Sequence, residues 1–216
     1  MKIEEFKNLH KGERAFVICN GPSLNKHNLE LLKDEITFGG NRIYLHDTFT
    51  PKYYSMEDWG AICQYYNEVN NRVESDYKFI AERFSSDFIY GKDVVYISFE
   101  RWKEGTNYIA DIIDKDEGTF YWGSTITFLL VQLAYYMGCS PIYIIGADHL
   151  KENTSEPLTH FTDEYVKNRE YNATSIDIIN IGYRLLNDRI PNIYNATIGG
   201  DLEIFDRVDY DGLFTT

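Results

Sequence analysis

A short polar loop, Asn20-Gly21-Pro22-Ser23-Leu24, follows an apolar run and is the first segment whose residue types could bind a ligand. Gly21 permits a close backbone approach or a positive φ, and Pro22 and Ser23 can begin a helix with Ser23 as its N-cap. Free N–H groups at a helix start can bind phosphate. The loop lacks the lysine of a P-loop and two glycines of G-x-G-x-x-G. It predicts a nucleotide site of another kind, with an ordinary strand–turn–helix connection as the alternative.

Three further polar residues follow apolar runs that read as strands. Asn41 ends the segment Gly39-Gly40-Asn41, and its amide can bond both donor and acceptor edges of a base or ribose. Asp58 and Asp148 carry carboxylates that can bind ribose hydroxyls or an ion such as Mg²⁺. The alternatives are that Asn41 satisfies its own turn and that the two aspartates cap helices.

His160 is the candidate general base. It lies on a long loop, and an imidazole with an unperturbed pKa of about 6.5 suits proton transfer. A solvated loop histidine is the alternative, and His149 is open to the same two interpretations. The sequence contains neither H-E-x-x-H nor G-x-S-x-G, and it predicts no protein-held metal site.

The elements that must position these residues alternate between strands and helices. Residues 124–137 are apolar nearly all round and predict a buried helix that ends at Gly138. Predicted helices also cover 3–10, 28–33, a stretch from Asp58 to about 70, and 175–187. Predicted strands cover 14–19, 36–40, 53–56, 79–84, 94–98, 141–145 and 193–195.

This order predicts an α/β fold, a Rossmann-like and mostly parallel sheet flanked by helices. In such sheets ligands bind beyond the carboxyl ends of the strands, so the polar clusters there should share one edge. The length of 216 residues predicts a single domain over 1–216. The polar stretch around 85–120 predicts a lid or insertion over the site.

Charge and cysteine content limit the partners. The chain has 34 acidic and 21 basic residues and a net charge of −13, which disfavours nucleic acid and anionic membranes. Cys19, Cys63 and Cys139 show no metal-ligand spacing and predict reduced thiols. The polar N-terminal segment resembles no signal peptide, and the apolar stretch near 125–137 is too short to span a bilayer. We therefore expect a cytoplasmic protein with no transmembrane segment.

Several longer segments resemble a known family. AFVICNGPSL, FGGNRIYL and YYSMED are similar to the opening blocks of the MptE-like family, also called DUF115. STITFLLVQLAYYMGCSPIYIIGADH and IYNATIGGDLEIFDRVDYDGLF resemble its later blocks. The resemblance covers most of the chain and leaves 85–120 poorly matched.

The same blocks are similar to the bacterial sialyltransferases of glycosyltransferase family 42, which use a CMP-sugar donor. The resemblance implies that Asn20, Gly21 and Ser23 lie at the donor phosphate and ribose, and that Asn41 contacts the nucleotide. It implies nucleotide contacts for Gly123-Ser124-Thr125, near the family's Thr-Ser-Gly turn, and for Gly146 and Asp148, on its Gly-Ile-Asp motif. It also implies that His160 is the catalytic base. The family's tyrosines after the acidic residue are replaced here by His149 and Leu150, which puts sialic acid as the donor sugar in question.

Three functions follow as alternatives. The first is a nucleotide-sugar-dependent glycosyltransferase in cell-surface glycan synthesis, with a nucleotide-sugar and a glycan acceptor as partners and no required cofactor. The second is a 6-hydroxymethyl-dihydropterin pyrophosphokinase that uses ATP and Mg²⁺, with Asp58 and Asp148 as candidate ligands. The third is a non-catalytic nucleotide-binding domain. The resemblance also implies a homo-oligomer, by analogy alone.

Overall fold

The computed structural model of the chain describes residues 1–82, 88–100, 112–113, 118–149, 159–165 and 176–215, with only the backbone for 99–100. The strands are β1 (Ala15–Ile18), β2 (Ile36–Gly40), β3 (Tyr53–Met56), β4 (Tyr77–Ala81), β5 (Val94–Ile97), β6 (Phe99–Glu100), β7 (Phe120–Tyr121), β8 (Ile142–Ile145), β9 (Ile193–Asn195) and β10 (Asp206–Arg207). The α-helices in these ranges are α1 (Trp59–Arg72), α2 (Ile126–Tyr136) and α3 (Ile176–Arg189). None of these helices is both long and apolar enough to cross a bilayer.

Eight strands form one sheet in the order β10-β9-β8-β1-β2-β3-β4-β5, and every neighbouring pair in it is parallel. This confirms the predicted Rossmann-like arrangement. From β1 the chain adds strands outward to β5 and then returns to add β8, β9 and β10 on the other side of β1. The strand order therefore reverses between β1 and β8, and the crevice beyond such a reversal is where open parallel sheets bind ligands.

The sheet is covered on both faces, as its strands require. All four residues of β1 are buried, which is typical of a central parallel strand. One face packs against α2, α3 and the N-terminal segment, and the other packs against α1 and several 3-10 turns. Burying one large apolar side chain stabilises the fold by roughly 1.5–3 kcal/mol, so both layers contribute to holding the loops at the sheet edge.

Helix α2 confirms the predicted buried helix. Ten of its eleven residues are buried. Gly138 follows it with φ +84°, and the N–H groups of Gly138 and Cys139 donate to the carbonyls of Tyr135 and Ala134. This left-handed glycine ends the helix as predicted.

Some predicted bounds shift for identifiable reasons. β4 covers Tyr77–Ala81 rather than 79–84, because buried Lys78 forms an ion pair with Asp93 and hides a charged residue inside the strand. The predicted helix over 28–33 is a 3-10 turn over Leu29–Leu32. The helix predicted over 3–10 is likewise a single 3-10 turn, Ile3–Phe6.

Much of the predicted insertion at 85–120 lies outside the described residues. Its described parts include β5 and the start of a small parallel sheet in which β6 pairs with β7. Ile112 and Ile113 are buried in the core, and the Ile113 N–H donates to Gln132 Oε1 at 2.9 Å. At least this short segment packs on α2 instead of standing away from the sheet.

Candidate functional site

The loops that follow β1 and β8 lie in direct contact at the point of strand reversal. The Gly21 N–H donates to the Gly146 carbonyl at 2.9 Å, and Gly146 has φ +70°. A Cβ added at Gly21 would lie 2.0 Å from Asp148 Oδ2 and 2.5 Å from Gly146 O. Gly21 is therefore required by close packing between the two loops, not by a positive φ.

Asp148 holds the β1 loop in place. Its carboxylate accepts the Ser23 backbone N–H at 3.1–3.2 Å and the Ser23 hydroxyl at 2.7 Å, and both residues are buried. The N-cap of the 3-10 turn is Gly21, with Pro22 as its first residue, so the expectation that Ser23 is the N-cap was wrong. Ser23 instead uses its hydroxyl to bind Asp148 across 125 residues of sequence, which makes Asp148 a positioning residue for this loop.

Three buried side-chain oxygens beside these loops have no hydrogen-bond partner among the residues that the structure describes: Asn20 Oδ1, Asn41 Oδ1 and Ser124 Oγ. Asn20 is 7% exposed and uses its amide N–H to donate to Gly40 O at 3.2 Å. Asn41 and Ser124 also have positive φ values, 53° and 63°. Unsatisfied buried groups and left-handed non-glycine residues both cost free energy, and they cluster at binding sites.

The N-terminus of α2 lies at the same edge of the sheet. A Cβ added at Gly40 would lie 2.5 Å from Ile126 Cγ1, so the end of β2 touches the first residue of α2. The N-cap Thr125 makes no side-chain capping bond, and the first turn carries no acidic residue. The first N–H groups of a helix have no partner inside it and favour anions. Ser124 and Thr125 thus lie at a helix start suited to phosphate.

Gly123 has a structural role. A Cβ there would lie 2.0 Å from the Phe128 ring, so glycine is needed for the chain to pass α2. Nothing in this contact requires a nucleotide, and the role that the resemblance implies for Gly123 stays a prediction.

Cys19, at the end of β1, is not placed as a nucleophile. Its Sγ lies 3.1 Å from Thr127 Oγ1, and burial raises the pKa of the thiol to about 12. The thiolate is the reactive form of cysteine, so Cys19 acts as a small buried side chain.

Asp58 caps α1. Its Oδ1 accepts the Ala61 N–H at 2.6 Å, and the residue is exposed. It follows β3, which is three strand positions from β8, so Asp58 and Asp148 are separated by about 14 Å of sheet. The structure does not bring these two aspartates together, and within the described ranges no group of three or more His, Cys, Asp or Glu side chains could hold a metal.

His160 lies beside the β1 loop. The next residue, Phe161, donates its N–H to the Asn20 carbonyl at 3.0 Å. The His160 ring stacks on Tyr165 with centroids 3.8 Å apart and planes 10° apart, and its Nδ1 lies 2.9 Å from Thr159 Oγ1. The segment 159–165 thus carries the predicted base to the edge that holds Asn20, although Phe161 lies 141 positions after Asn20 in the sequence.

Arg42, which no sequence motif marks, anchors this segment. It directly follows Asn41, and its Nη1 donates to the carbonyls of Glu164 and Tyr165 at 2.6 and 2.7 Å. The guanidinium lies 4.2 Å from the centroid of the Tyr65 ring. A lone arginine gives no sequence signal, because its acceptors are backbone carbonyls far along the chain.

His149, the residue after Asp148, contacts α3. Its φ is +51°, its Nε2 lies 2.9 Å from Asn180 Oδ1 on α3, and burial lowers the pKa of its ring. It borders a pocket of about 430 Å³ between α3 and the segment 201–204. The sequence alone could not decide whether His149 is a solvated loop residue or a functional one, because it does not show that α3 lies beside it.

A family model described as 6-hydroxymethylpterin diphosphokinase MptE-like matches residues 1–154, well over half of the chain. The match includes β1, β2, α2 and β8, and with them the three unpartnered oxygens and Asp148. His160 and α3 lie beyond it. No curated protein matches the chain.

Proposed function

The chain belongs to the MptE-like family, and we propose that it is a transferase that uses a nucleotide-activated sugar as its donor. One observation carries the proposal: Asn20, Asn41 and Ser124 present unpartnered buried oxygens at the strand-reversal crevice. A folded protein satisfies such groups with a ligand or pays for them in stability.

The donor's nucleoside would bind across the ends of β1 and β2. Asn20 and Asn41 amide oxygens can accept from base amino groups or ribose hydroxyls. The phosphate would lie at the first turn of α2, where backbone N–H groups are without intrahelical partners and no carboxylate stands in the turn. The Asp148 carboxylate is directed at the β1 loop, where it accepts two Ser23 donors.

His160 supports transfer of a sugar to a hydroxyl. In the proposed step His160 takes the proton of the acceptor hydroxyl while the acceptor oxygen bonds to the anomeric carbon. The bond from that carbon to the donor phosphate breaks, and the nucleotide leaves with the electron pair. The observation that favours this role is the hydrogen bond from Phe161 to the Asn20 carbonyl, which ties the histidine's segment to the donor loop.

The second candidate is diphosphoryl transfer from ATP to a hydroxymethylpterin, and the description of the matching family favours it. That reaction needs Mg²⁺. Asp58 and Asp148 do not fit a shared ion site, because each binds a backbone N–H and they follow strands three positions apart. We therefore derive no step through an ion held by this pair.

Thermal-shift measurements with CMP, CDP, UDP, GDP, ADP and ATP, each with and without Mg²⁺, test the proposal. A ligand that binds only the folded state raises the melting temperature. Metal-independent stabilisation by a pyrimidine nucleotide supports glycosyl transfer, whereas stabilisation by ATP that requires Mg²⁺ supports the diphosphokinase. If no nucleotide changes the melting temperature, both the glycosyltransferase and the diphosphokinase proposals are contradicted.

Ser124→Ala is the variant for that assay. It removes a hydroxyl with no partner in the described structure, so it should weaken nucleotide binding without lowering the melting temperature of the free protein. Ser98→Ala is its matched control: an exposed serine at the same sheet edge, after β5 and four strand positions from β1.

Once a donor is known, His160→Ala should cut turnover and leave nucleotide affinity nearly unchanged; unchanged turnover would favour a non-catalytic binding domain or another base.

A further inference from the structure

The pocket beside His149 is separate from the crevice that holds the three unpartnered oxygens. It lies between α3 and the segment that follows β9, and its volume is about 430 Å³. The Asp201 N–H donates to the Asp148 carbonyl at 2.7 Å. The side chain of Asp148 binds the β1 loop while its backbone supports the pocket wall, so Asp148 contributes to both sites.

Hydrogen bonds within the chain hold this wall in place. Arg207 donates to the carbonyls of Gly199 and Gly200 at 2.9 and 2.8 Å and pairs with Glu203 at 2.8 Å. Both glycines have positive φ values, and a Cβ at Gly200 would lie 2.6 Å from Asp148 O. Only glycine lets the segment lie this close to β8, so the pocket is preformed, as small-molecule sites usually are.

The lining indicates a neutral ligand rich in hydroxyls. Among the described residues that line the pocket, the polar members are two amides, three carboxylates, one guanidinium and one imidazole, and the apolar members are Ile176 and Ile204. Three carboxylates against one guanidinium disfavour an anion. Hydroxyl groups both donate and accept, as amide and carboxylate pairs require, and the C–H faces of a sugar ring can lie on the two isoleucines.

We propose that this pocket binds a neutral, polyhydroxylated second substrate about the size of one or two sugar rings. The role of this pocket as the acceptor site rests on the proposed transfer function. The binding of a sugar in the pocket does not depend on that function. The volume falls within the usual range for sites that hold small organic ligands, roughly 300–1,000 Å³.

His149 gives the pocket a defined acceptor. Asn180 Oδ1 can only accept, so at its distance of 2.9 Å His149 Nε2 is the donor. The neutral ring then keeps its lone pair on Nδ1, which can accept from a ligand hydroxyl. His149 lines the pocket, and its backbone has φ +51°.

Saturation-transfer-difference NMR on the full chain tests the assignment, with glucose, galactose and N-acetylglucosamine as probes and CMP or UDP added separately. We expect the wild-type protein to transfer saturation to at least one sugar, and added nucleotide not to displace it. Asn180→Leu and Asp188→Ala should each weaken that sugar's affinity by about tenfold, the loss expected for one or two hydrogen bonds. Asn71→Leu, an exposed asparagine on α1 across the sheet, is the matched control and should change nothing.

Absence of transfer to all three sugars, or equal transfer in the pocket variants and the control, would overturn the proposal. Displacement of the sugar by nucleotide would overturn the separation of the two sites. Thermal melts of each variant establish that it is folded. Sugar binding without any nucleotide binding would defeat the proposed function and leave the pocket assignment standing, so the two failures are distinguishable.

Discussion

Replacing Asn41 with glycine should make the protein more stable and its nucleotide binding weaker. The residue has φ +53° and a buried Oδ1 without a partner in the described structure. A left-handed non-glycine residue costs about 1 kcal/mol, and an unsatisfied buried amide costs about 1–3 kcal/mol. Glycine loses roughly 0.5–1 kcal/mol to the greater entropy of the unfolded chain, and lost side-chain contacts subtract about as much again. The net expectation is a gain of about 1 kcal/mol, or roughly 2–4 °C in melting temperature.

The backbone contacts of Asn41 survive this change. Its N–H still donates to the Ser55 carbonyl and its carbonyl still accepts from the Tyr54 hydroxyl. The lost side chain should therefore appear in binding, where one hydrogen bond of about 1 kcal/mol is worth about fivefold in affinity.

Calorimetric titration with the nucleotide that stabilises the wild type, together with thermal melts, measures both effects. Asn192→Gly is the matched control: an exposed asparagine with φ +61° at the opposite sheet edge. It should leave nucleotide affinity unchanged. If Asn41→Gly lowers the melting temperature by several degrees and binds nucleotide as tightly as the wild type, the amide is a structural group and the reasoning is refuted.

Other expectations follow from the same loops. Gly21→Ala should lower the free energy of unfolding by about 2–3 kcal/mol and the melting temperature by roughly 4–12 °C, because its Cβ would lie 2.0 Å from an Asp148 oxygen. Gly60→Ala, in the first turn of α1, is the control and should be neutral or stabilising. Equal changes in melting temperature for the two variants in calorimetry would contradict this. Burial lowers the pKa of His149, so the unfolded state takes up its proton first as the pH falls below about 6.5. Denaturant unfolding should therefore show stability falling from pH 7.5 to 5.5, and a drop just as large in His149→Gln would be inconsistent with this cause. Arg42→Ala should speed amide exchange in 161–165 through the loss of two carbonyl contacts, with Arg42→Lys intermediate; unchanged exchange would mean that other contacts hold the segment.

The sheet and its buried helix could be predicted because their signals are local. Four consecutive apolar residues in β1 and the nearly uniform apolar surface of α2 each require burial on both sides, and Gly138 ends α2 by its own conformational freedom. The start of β4 could not be predicted, since Lys78 is buried only by virtue of Asp93, fifteen residues later. A charged residue inside a buried strand can be predicted only when its ion-pair partner is known.

The candidate site was predictable as a set of loops and not as a set of contacts. Parallel strand order alone places Asn20, Asn41 and Asp148 at one edge. The sequence could not tell that Asp148 binds Ser23 while the Asn20 and Asn41 oxygens are left without partners, because hydrogen-bond satisfaction depends on distances across the fold.

A crystal structure of the chain soaked with the nucleotide that gives the largest thermal shift tests the central claim most directly. We expect density at the strand-reversal crevice, with the nucleoside within hydrogen-bond distance of Asn20 and Asn41 Oδ1 and a phosphate at the first turn of α2. Nucleotide bound instead in the pocket beside His149, or in the groove at the opposite edge of the sheet near Glu35 and Lys52, would contradict it.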